Sequence, residues 1–240
     1  MQVYSYGFHS DGYFNKQVKN IYSTPSDSED FIGKINELET WAVSQDDPFI
    51  SWRLAFLFQN HINTASLQDK IIASKNARLL FNFAYFINKS DKVKLQEELF
   101  KTKDIFYIAR FGCVIDDCDI EKIFSMVKLS KNAKAAYLLV KSKKNISAYD
   151  FKETFLESKK PRYLYSLAMS CENPEELNAI EDLILKSESF TYICKFANNI
   201  SLANIKKIES WILKTTDLKL IKKYANTIKS ERLSKLSVLF

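Results

Sequence analysis

The sequence predicts an all-α protein, a right-handed α-solenoid of about seven two-helix repeats that follows an irregular, aromatic-rich N-terminal cap. Three observations predict this fold class. The 240 residues include only four glycines and four prolines, too few for Gly-rich phosphate loops or many tight β-hairpins. A sequence pattern recurs with a period of about 28 residues. Within each repeat the apolar residues lie three and four positions apart, as on one face of a helix.

The clearest repeat joins two distant segments that match without a gap. Residues 192–197 (YICKFA) match residues 107–112 (YIARFG), and the match continues through residues 204–208 and 119–123. The two segments lie three repeats apart, and the intervening segments fit the same period, although the repeat near Ala133 fits worst. Each predicted repeat ends at a small hydroxyl residue, and these residues are Ser74, Thr102, Ser130, Ser158, Ser187 and Thr215.

Each repeat is predicted to form two short antiparallel helices, called helix A and helix B here. In the last complete repeat, Ile193 and Phe196 belong to the apolar stripe of helix A, and Ile208 and Ile212 to that of helix B. A small residue recurs in helix A, such as Gly112, and we expect it to let a neighbouring helix approach closely. Polar residues suited to N-caps precede the predicted helices at Ser26 or Ser28, Asp47, Asp119, Asn173 and Asn204.

A single hairpin of about 28 residues cannot bury both apolar stripes, so neighbouring hairpins must stack to form a core. In this respect the chain resembles α-solenoids of the HEAT and tetratricopeptide kind, although its repeat is shorter than theirs and it lacks the tetratricopeptide signature. Its Tyr-Ile-x-x-Phe-Ala units are also similar to helical repeats in uncharacterised phage and bacterial proteins. The resemblance covers roughly residues 46–240 and implies a fold; it leaves the function open.

Residues 1–30 do not follow the repeat and are predicted to form the N-terminal cap segment, with residues 31–240 forming a single solenoid domain. The segment is rich in aromatic side chains, and residues 3–8 alternate as in a short strand. Either the rings cover the exposed core of the first hairpin, or they form a contact site for a peptide or another ligand. At the other end, a last helix B is predicted to include Leu233, Leu236 and Leu239.

Charge is unevenly distributed along the chain. Residues 1–74 contain five Lys or Arg and nine Asp or Glu, whereas residues 75–240 contain 30 and 20. Equivalent positions in successive A helices form a row with four basic and no acidic members, namely Arg53, Asn82, Arg110, Leu138, Ser166, Lys195 and Lys223. We expect the basic members of this row, together with Lys222, to form a binding surface for an acidic partner. The candidate binding residues are therefore Arg53, Arg110, Lys195, Lys222 and Lys223.

Two rows of helix B are mostly acidic or neutral and are expected to face solvent on the opposite side. The first row is Glu39, Gln68, Gln96, Phe124, Lys152, Glu181 and Glu209. The second row is Thr40, Asp69, Glu97, Ser125, Glu153, Asp182 and Ser210. Seven positions are few, so a chance distribution of charge is the competing explanation.

The composition favours a non-enzymatic protein-binding scaffold, such as an adaptor, inhibitor or immunity-type protein, because solenoids present extended surfaces. The alternative is a nucleic-acid-binding HEAT-like solenoid that uses the basic helix A face and the basic C-terminal end. An enzyme built around His61 is the third class, and a solvated turn histidine is the simpler interpretation. The spacing of the cysteines and of Asp116, Asp117 and Asp119 does not match a zinc or calcium site, so we expect no metal and no cofactor.

The N-terminus lacks the pattern of a secretory signal, and the sequence has no long uncharged apolar stretch. We therefore expect a cytoplasmic protein with no membrane contact.

Overall fold

The computed structural model describes residues 10–143, 145–215 and 217–228. Within this part of the chain all regular structure is helical, as the sequence predicts. The chain divides into two compact units, residues 1–124 and 125–240, and the division falls inside one helix. The predicted strand at residues 3–8 and the predicted last helix B around Leu236 lie outside the described residues.

The described residues of the first unit form seven complete helices and the start of an eighth. They are α1 (Ser10–Tyr22), α2 (Glu29–Ser44), α3 (Pro48–Phe58), α4 (Thr64–Ala73), α5 (Ala77–Phe86), α6 (Lys92–Thr102), α7 (Ile105–Val114) and α8 (Ile120–Ser130). In the hairpin pattern predicted above, α3, α5 and α7 are A helices, and α4, α6 and α8 are B helices. Each A helix contacts the next A helix, since α3 packs against α5 and α5 against α7.

The second unit continues the alternation. Its helices are α9 (Ala133–Ser142), α10 (Lys152–Ser158), α11 (Pro161–Ala168), α12 (Pro174–Lys186), α13 (Phe190–Asn199), α14 (Ile205–Lys214) and α15 (Leu218–Ile228), and a 3-10 helix (Ala148–Phe151) precedes α10. The A helices α9, α11, α13 and α15 again pack in chain order. The shortened α10 and its 3-10 turn lie in the repeat that fits the sequence pattern worst.

The expectation of an irregular cap over residues 1–30 is wrong for residues 10–22, because Ser10–Tyr22 forms α1. Phe14 and Ile21 are buried with 0% and 1% of their surface exposed, while Tyr13 and Tyr22 are exposed. Phe14 and Ile21 are two helical turns apart and therefore lie on one face. The many aromatic residues suggested an extended segment and obscured this period.

The junctions between hairpins repeat closely in structure. At the end of each helix B from α4 to α14, the side chain of a Ser or Thr donates to the carbonyl three residues earlier, as Thr102 Oγ1 does to Leu99 at 2.7 Å. The next residue is left-handed at five junctions, and these residues are Lys75, Lys103, Lys131, Lys159 and Glu188. The intervals between them are equal to within one position and agree with the period found in the sequence.

Gly112 allows close packing inside the hairpin of α7 and α8. A Cβ atom at this position would lie 3.0 Å from Cγ2 of Ile123 and 3.3 Å from Cδ1 of Ile120. Ile123 is fully buried and β-branched, so its side chain has little freedom to move away. The small residue expected in helix A therefore admits the partner helix of its own hairpin.

Two glycines in helices provide a matched test of this packing. In α2, a Cβ at Gly33 would meet nothing within 4 Å. We expect Gly33→Ala to raise the free energy of unfolding by roughly 0.5–1 kcal/mol through helix propensity. In Gly112→Ala, the close contact with Ile123 should cancel this stabilisation. The change in the free energy of unfolding should therefore be at least about 1 kcal/mol less favourable than in Gly33→Ala. Urea denaturation of both variants measures the difference, and equal stabilisation would contradict close packing at Gly112.

Lys103 offers a second test, because its φ of 56° is unfavourable for a residue with a Cβ. Lys103→Gly should stabilise the fold by about 0.5–1 kcal/mol. Glu97→Gly, at an exposed position in the middle of α6, should destabilise it by roughly 1 kcal/mol. The left-handed junction would be refuted if thermal denaturation showed both glycines to be destabilising.

Candidate protein-interaction surface

All charged side chains on the described A helices are basic. The seven A helices in the described part of the chain contain ten basic residues and no Asp or Glu. The basic residues are Arg53, Arg78, Arg110, Lys134, Lys141, Arg162, Lys195, Lys219, Lys222 and Lys223. The B helices, in contrast, contain both signs. The asymmetry therefore extends beyond the single row that the sequence analysis identified.

The carboxylates of the B helices are partly neutralised by lysines of neighbouring hairpins. Nζ of Lys94 lies 2.8 Å from Asp69, and Nζ of Lys152 lies 2.6 Å from Glu176. Such exposed pairs contribute little to stability. They do cancel charge on the B helices, whereas the A helices have no carboxylates of their own that could do the same.

The two predicted arginines both lie against aromatic rings. The guanidinium carbon of Arg53 lies 4.5 Å from the ring centre of Phe14 in α1, and its Nη2 donates to Oδ1 of Asn15 at 2.6 Å. The guanidinium carbon of Arg110 lies 4.4 Å from the ring centre of Phe81. Arg53 thus also holds α1 on α3. Arg110 lies over rings of its own A helix and of the preceding one.

The three predicted lysines belong to α13 and α15 and are exposed. Nζ of Lys195 lies 5.3 Å from the ring centre of Tyr192, and Nζ of Lys223 lies 4.2 Å from that of Phe190. Lys222 is the immediate neighbour of Lys223. The prediction that these residues bind a partner is not tested by their positions.

Aromatic rings between the A helices were not singled out as functional in the sequence analysis. In the first unit eight rings follow one another in contact, and we call them the aromatic row: Phe49, Trp52, Phe56, Phe86, Tyr85, Phe81, Tyr107 and Phe106. The available signal was the spacing of Phe49, Trp52 and Phe56, which puts them on one side of α3. In the second unit, Tyr165 and Tyr192 similarly connect α11 with α13.

The first helix B row does not face solvent as predicted. Gln68, Gln96, Glu181 and Glu209 have only 6%, 8%, 2% and 7% of their surface exposed. Each follows a buried Leu or Ile of the apolar stripe, and this position places it at the edge of the core. The second row, which includes Asp69 and Glu97, is the exposed one.

Three of these buried side chains bind the start of the next helix B. Oε1 of Gln68 accepts from the backbone N–H of Asp91 at 2.8 Å, and Oε1 of Gln96 accepts from that of Asp119 at 2.9 Å. Oε2 of Glu181 accepts in the same way from the N–H of Asn204 at 3.0 Å. The donor is always the N-cap residue, 23 positions further on.

Each of these N-cap residues makes two hydrogen bonds, one through its backbone N–H and one through its side chain. The side chain of Asp119 accepts from the N–H of Lys122 at 3.0 Å, and that of Asn204 from the N–H of Lys207 at 3.1 Å. Within one chain segment a capping box supplies both bonds. Here the second acceptor comes from the preceding hairpin.

Not every repeat has this arrangement, since the row position is Phe124 in one repeat and Lys152 in the next. Phe124 occupies the position of Gln96 and has no acceptor group in its side chain. The corresponding N-cap residue, Ser147, donates its N–H to the carboxylate of Asp150 at 2.8 Å, within a local capping box. The backbone N–H of this N-cap residue therefore still has an acceptor, and the acceptor lies in the same turn of the chain.

Burial raises the pKa of Glu181, because the surroundings disfavour its charged form; the hydrogen bond from Asn204 opposes the shift. Oε1 of Glu181 is buried and lies 3.7 Å from Nζ of Lys207. That ammonium group is closer to Asp182, at 2.9 Å, and to Asn178, at 2.6 Å. The positive charge of Lys207 therefore offsets the cost of burying the Glu181 carboxylate only partly.

Other chemistry is sparse in the described part of the chain. No group of three His, Cys, Asp or Glu side chains there is placed to hold a metal ion. His61 is exposed in the turn between α3 and α4, with its ring edge-on to Phe31 at 5.4 Å. None of the described helices combines the length and apolar character needed to cross a membrane.

Comparison with known proteins gives no match to a family model, a curated protein or a solved structure.

The raised pKa of Glu181 predicts that the effect of replacing this residue on stability depends on pH. Since the folded state raises this pKa, the ionised group costs stability at neutral pH, and the cost disappears below the ordinary carboxyl pKa near pH 4. Glu181→Gln keeps an acceptor for Asn204, as Gln68 and Gln96 do for their partners. We expect it to stabilise the fold at pH 7 by on the order of 1 kcal/mol and to have little effect near pH 4.

Thermal denaturation at the two pH values measures this difference. Glu172→Gln removes an exposed carboxylate and serves as the control, with little change expected at either pH. A Glu181→Gln variant less stable than the native chain at pH 7 would mean that the attraction to Lys207 outweighs the cost of burial.

Proposed function

We propose that the chain is a non-enzymatic binding scaffold of the α-solenoid type, whose A helices bind an acidic protein partner. The observation that carries the proposal is the presence of ten basic and no acidic residues on the seven described A helices. The regular junctions and the packing of consecutive A helices within each unit support the repeat architecture. Adaptor, inhibitor and immunity-type roles all require such a surface.

The lysines of the second unit fit electrostatic attraction of a negatively charged partner. Lys195, Lys222 and Lys223 are exposed, and A-helix carboxylates that would neutralise them are absent from α13 and α15. A one-signed patch attracts oppositely charged partners and orients them before contact. Protein is favoured over nucleic acid because aromatic rings, which mark protein contact sites, accompany the charges.

Nucleic acid is the second candidate, and one observation favours it. In α9 and α11, Lys141 and Arg162 lie over the ring of Tyr137 at 5.7 Å each. Basic groups combined with aromatic rings also bind single-stranded nucleic acid, through phosphate contacts and base stacking. Such binding would weaken steeply with salt.

A charge-reversal experiment tests the proposal. The triple variant Lys195→Glu, Lys222→Glu and Lys223→Glu changes exposed positions on A helices. The control variant Lys186→Glu, Lys206→Glu and Lys214→Glu makes the same change of charge at exposed positions on α12 and α14. Proteins captured from a nuclease-treated lysate of the source organism should bind the A-helix variant at least about tenfold more weakly, and the control within about twofold of the native chain.

Equal loss in both variants would show that only net charge matters and would refute a role for the A helices. Tight binding of a single-stranded oligonucleotide, with loss of all captured proteins after nuclease treatment, would support nucleic acid instead.

A further inference from the structure

The aromatic row forms a connected surface across α3, α5 and α7. Ring centres of Trp52 and Phe56 are 5.7 Å apart, and those of Phe56 and Phe86, on the next A helix, are 5.5 Å apart. The row continues from Phe81 to Tyr107 at 5.9 Å. The rings of three consecutive A helices therefore share one side of the first unit.

Part of this row is open to solvent. Tyr85 and Phe86 are 49% and 39% exposed, Phe81 is buried, and the other rings are half-buried. Large aromatic side chains that are anchored at the base and exposed at the edge are the residues that dominate binding energy at protein interfaces. Their mutual contacts fix their positions before a partner arrives, and this reduces the entropy lost on binding.

The only charged residues of α3, α5 and α7 are Arg53, Arg78 and Arg110. The carboxylates at the N-terminal ends of α3 and α7 belong to Asp47 and Asp104, and both accept hydrogen bonds from the N–H groups of their own helices. The surface therefore combines aromatic rings with arginine, which can bind a carboxylate through two parallel hydrogen bonds.

An open cleft of about 430 Å³ lies at the Phe49 end of the row. Its lining residues are Asp47, Pro48, Phe49, Asn76, Arg78 and Leu79. The cleft combines an apolar wall with the guanidinium group of Arg78 and has room for at least one large side chain of a partner.

The indole N–H of Trp52 is a further polar group in this surface. Its Nε1 is buried and has no hydrogen-bond partner among the described residues. A buried donor without an acceptor is costly, because it has lost water and gained nothing in exchange.

The arrangement of the rings favours a peptide over nucleic acid. Trp52 and Phe56 are stacked, with 20° between their planes, and Phe81 and Tyr85 are stacked with 8° between them. Arg110 lies over Phe81. Base stacking requires free ring faces, whereas apolar side chains can pack against the exposed ring edges.

We propose that the aromatic row and the adjacent cleft are the docking site for an acidic peptide segment of a protein partner, one that also carries large apolar side chains. This inference rests on the proposed function and locates its main binding energy in the first unit. Apolar side chains of the segment pack on Trp52, Tyr85 and Phe86. Its carboxylates bind Arg78 and Arg110.

The experiment uses the full chain and fluorescently labelled synthetic dodecapeptides, in an array that varies acidic and aromatic positions. We expect peptides with Glu and two Phe to bind. Replacing Phe by Ser, or Glu by Lys, should weaken binding at least about tenfold. The variant Tyr85→Ala with Phe86→Ala should lose about tenfold in affinity. The control Val93→Ala with Leu129→Ala, at residues 63% and 85% exposed, should bind as the native chain does.

A second readout separates contact at the row from a general change in the fold. Peptide binding should shift the tryptophan emission of the chain. Trp52→Phe, which leaves Trp41 and Trp211 in place, should abolish that shift while the chain stays folded. Weaker binding by Trp52→Phe would also show that the indole group contributes to the contact.

Three results would overturn the inference. One is an array with no binding peptide. Another is an acidic peptide that binds equally with and without Phe and is lost only in the Lys195, Lys222 and Lys223 reversal; that result would leave the proposed function standing. The last is an oligothymidine of comparable length that displaces the peptide and binds more tightly.

Discussion

A hydrogen bond from the N-cap residue of one helix B to a buried Gln or Glu of the preceding helix B sets the spacing of three of the described repeats. B helices as short as α4 and α6 are marginal alone, and the N–H groups of their first turn need acceptors. By accepting from Asp91 and Asp119, Gln68 and Gln96 fix where the next helix begins. The separation of acceptor and donor along the chain is the same in each case, so an insertion or deletion in the intervening helix A would break the bond. In these three repeats the bond therefore favours a constant repeat length.

This hydrogen bond is also one reason why the side chains of the two helix types differ in chemical character. In three repeats helix B presents a polar side chain to the next helix B from within the core. Exposed carboxylates of helix B pair with lysines of adjacent hairpins, as Asp69 does with Lys94. Helix A has no comparable role, since consecutive A helices meet through apolar and aromatic side chains such as Phe81 and Tyr107. Its remaining positions contain the basic residues and the exposed rings to which the proposed binding is assigned.

The sequence predicted much of this fold because its strongest signals are local. Period, helix type and several caps, including Asp119 and Asn204, depend on residues close together in the chain. The burial of Gln96 and Glu181 could not be predicted in this way, because polar side chains usually mark the surface and their acceptor role depends on a neighbouring hairpin. The exposure of the aromatic row could not be predicted either, because apolar residues at helical spacing usually indicate core. Only the packing of the helices distinguishes the exposed Tyr85 from the buried Phe81.

The two units differ in the kind of cation that their proposed binding residues present, and the two kinds of cation would contribute differently to binding. Arginine is weakly hydrated and stacks on rings, so the guanidinium of Arg110 over Phe81 is already oriented and is easily dehydrated. Lysine is strongly hydrated and acts over distance as a point charge, as expected of exposed Lys222 and Lys223. Lysines of this kind would raise the rate at which the proposed partner associates, and that rate would be sensitive to salt. Residence time, in contrast, depends on the desolvated contact of rings and arginine, because differences in affinity arise mainly from the rate of dissociation.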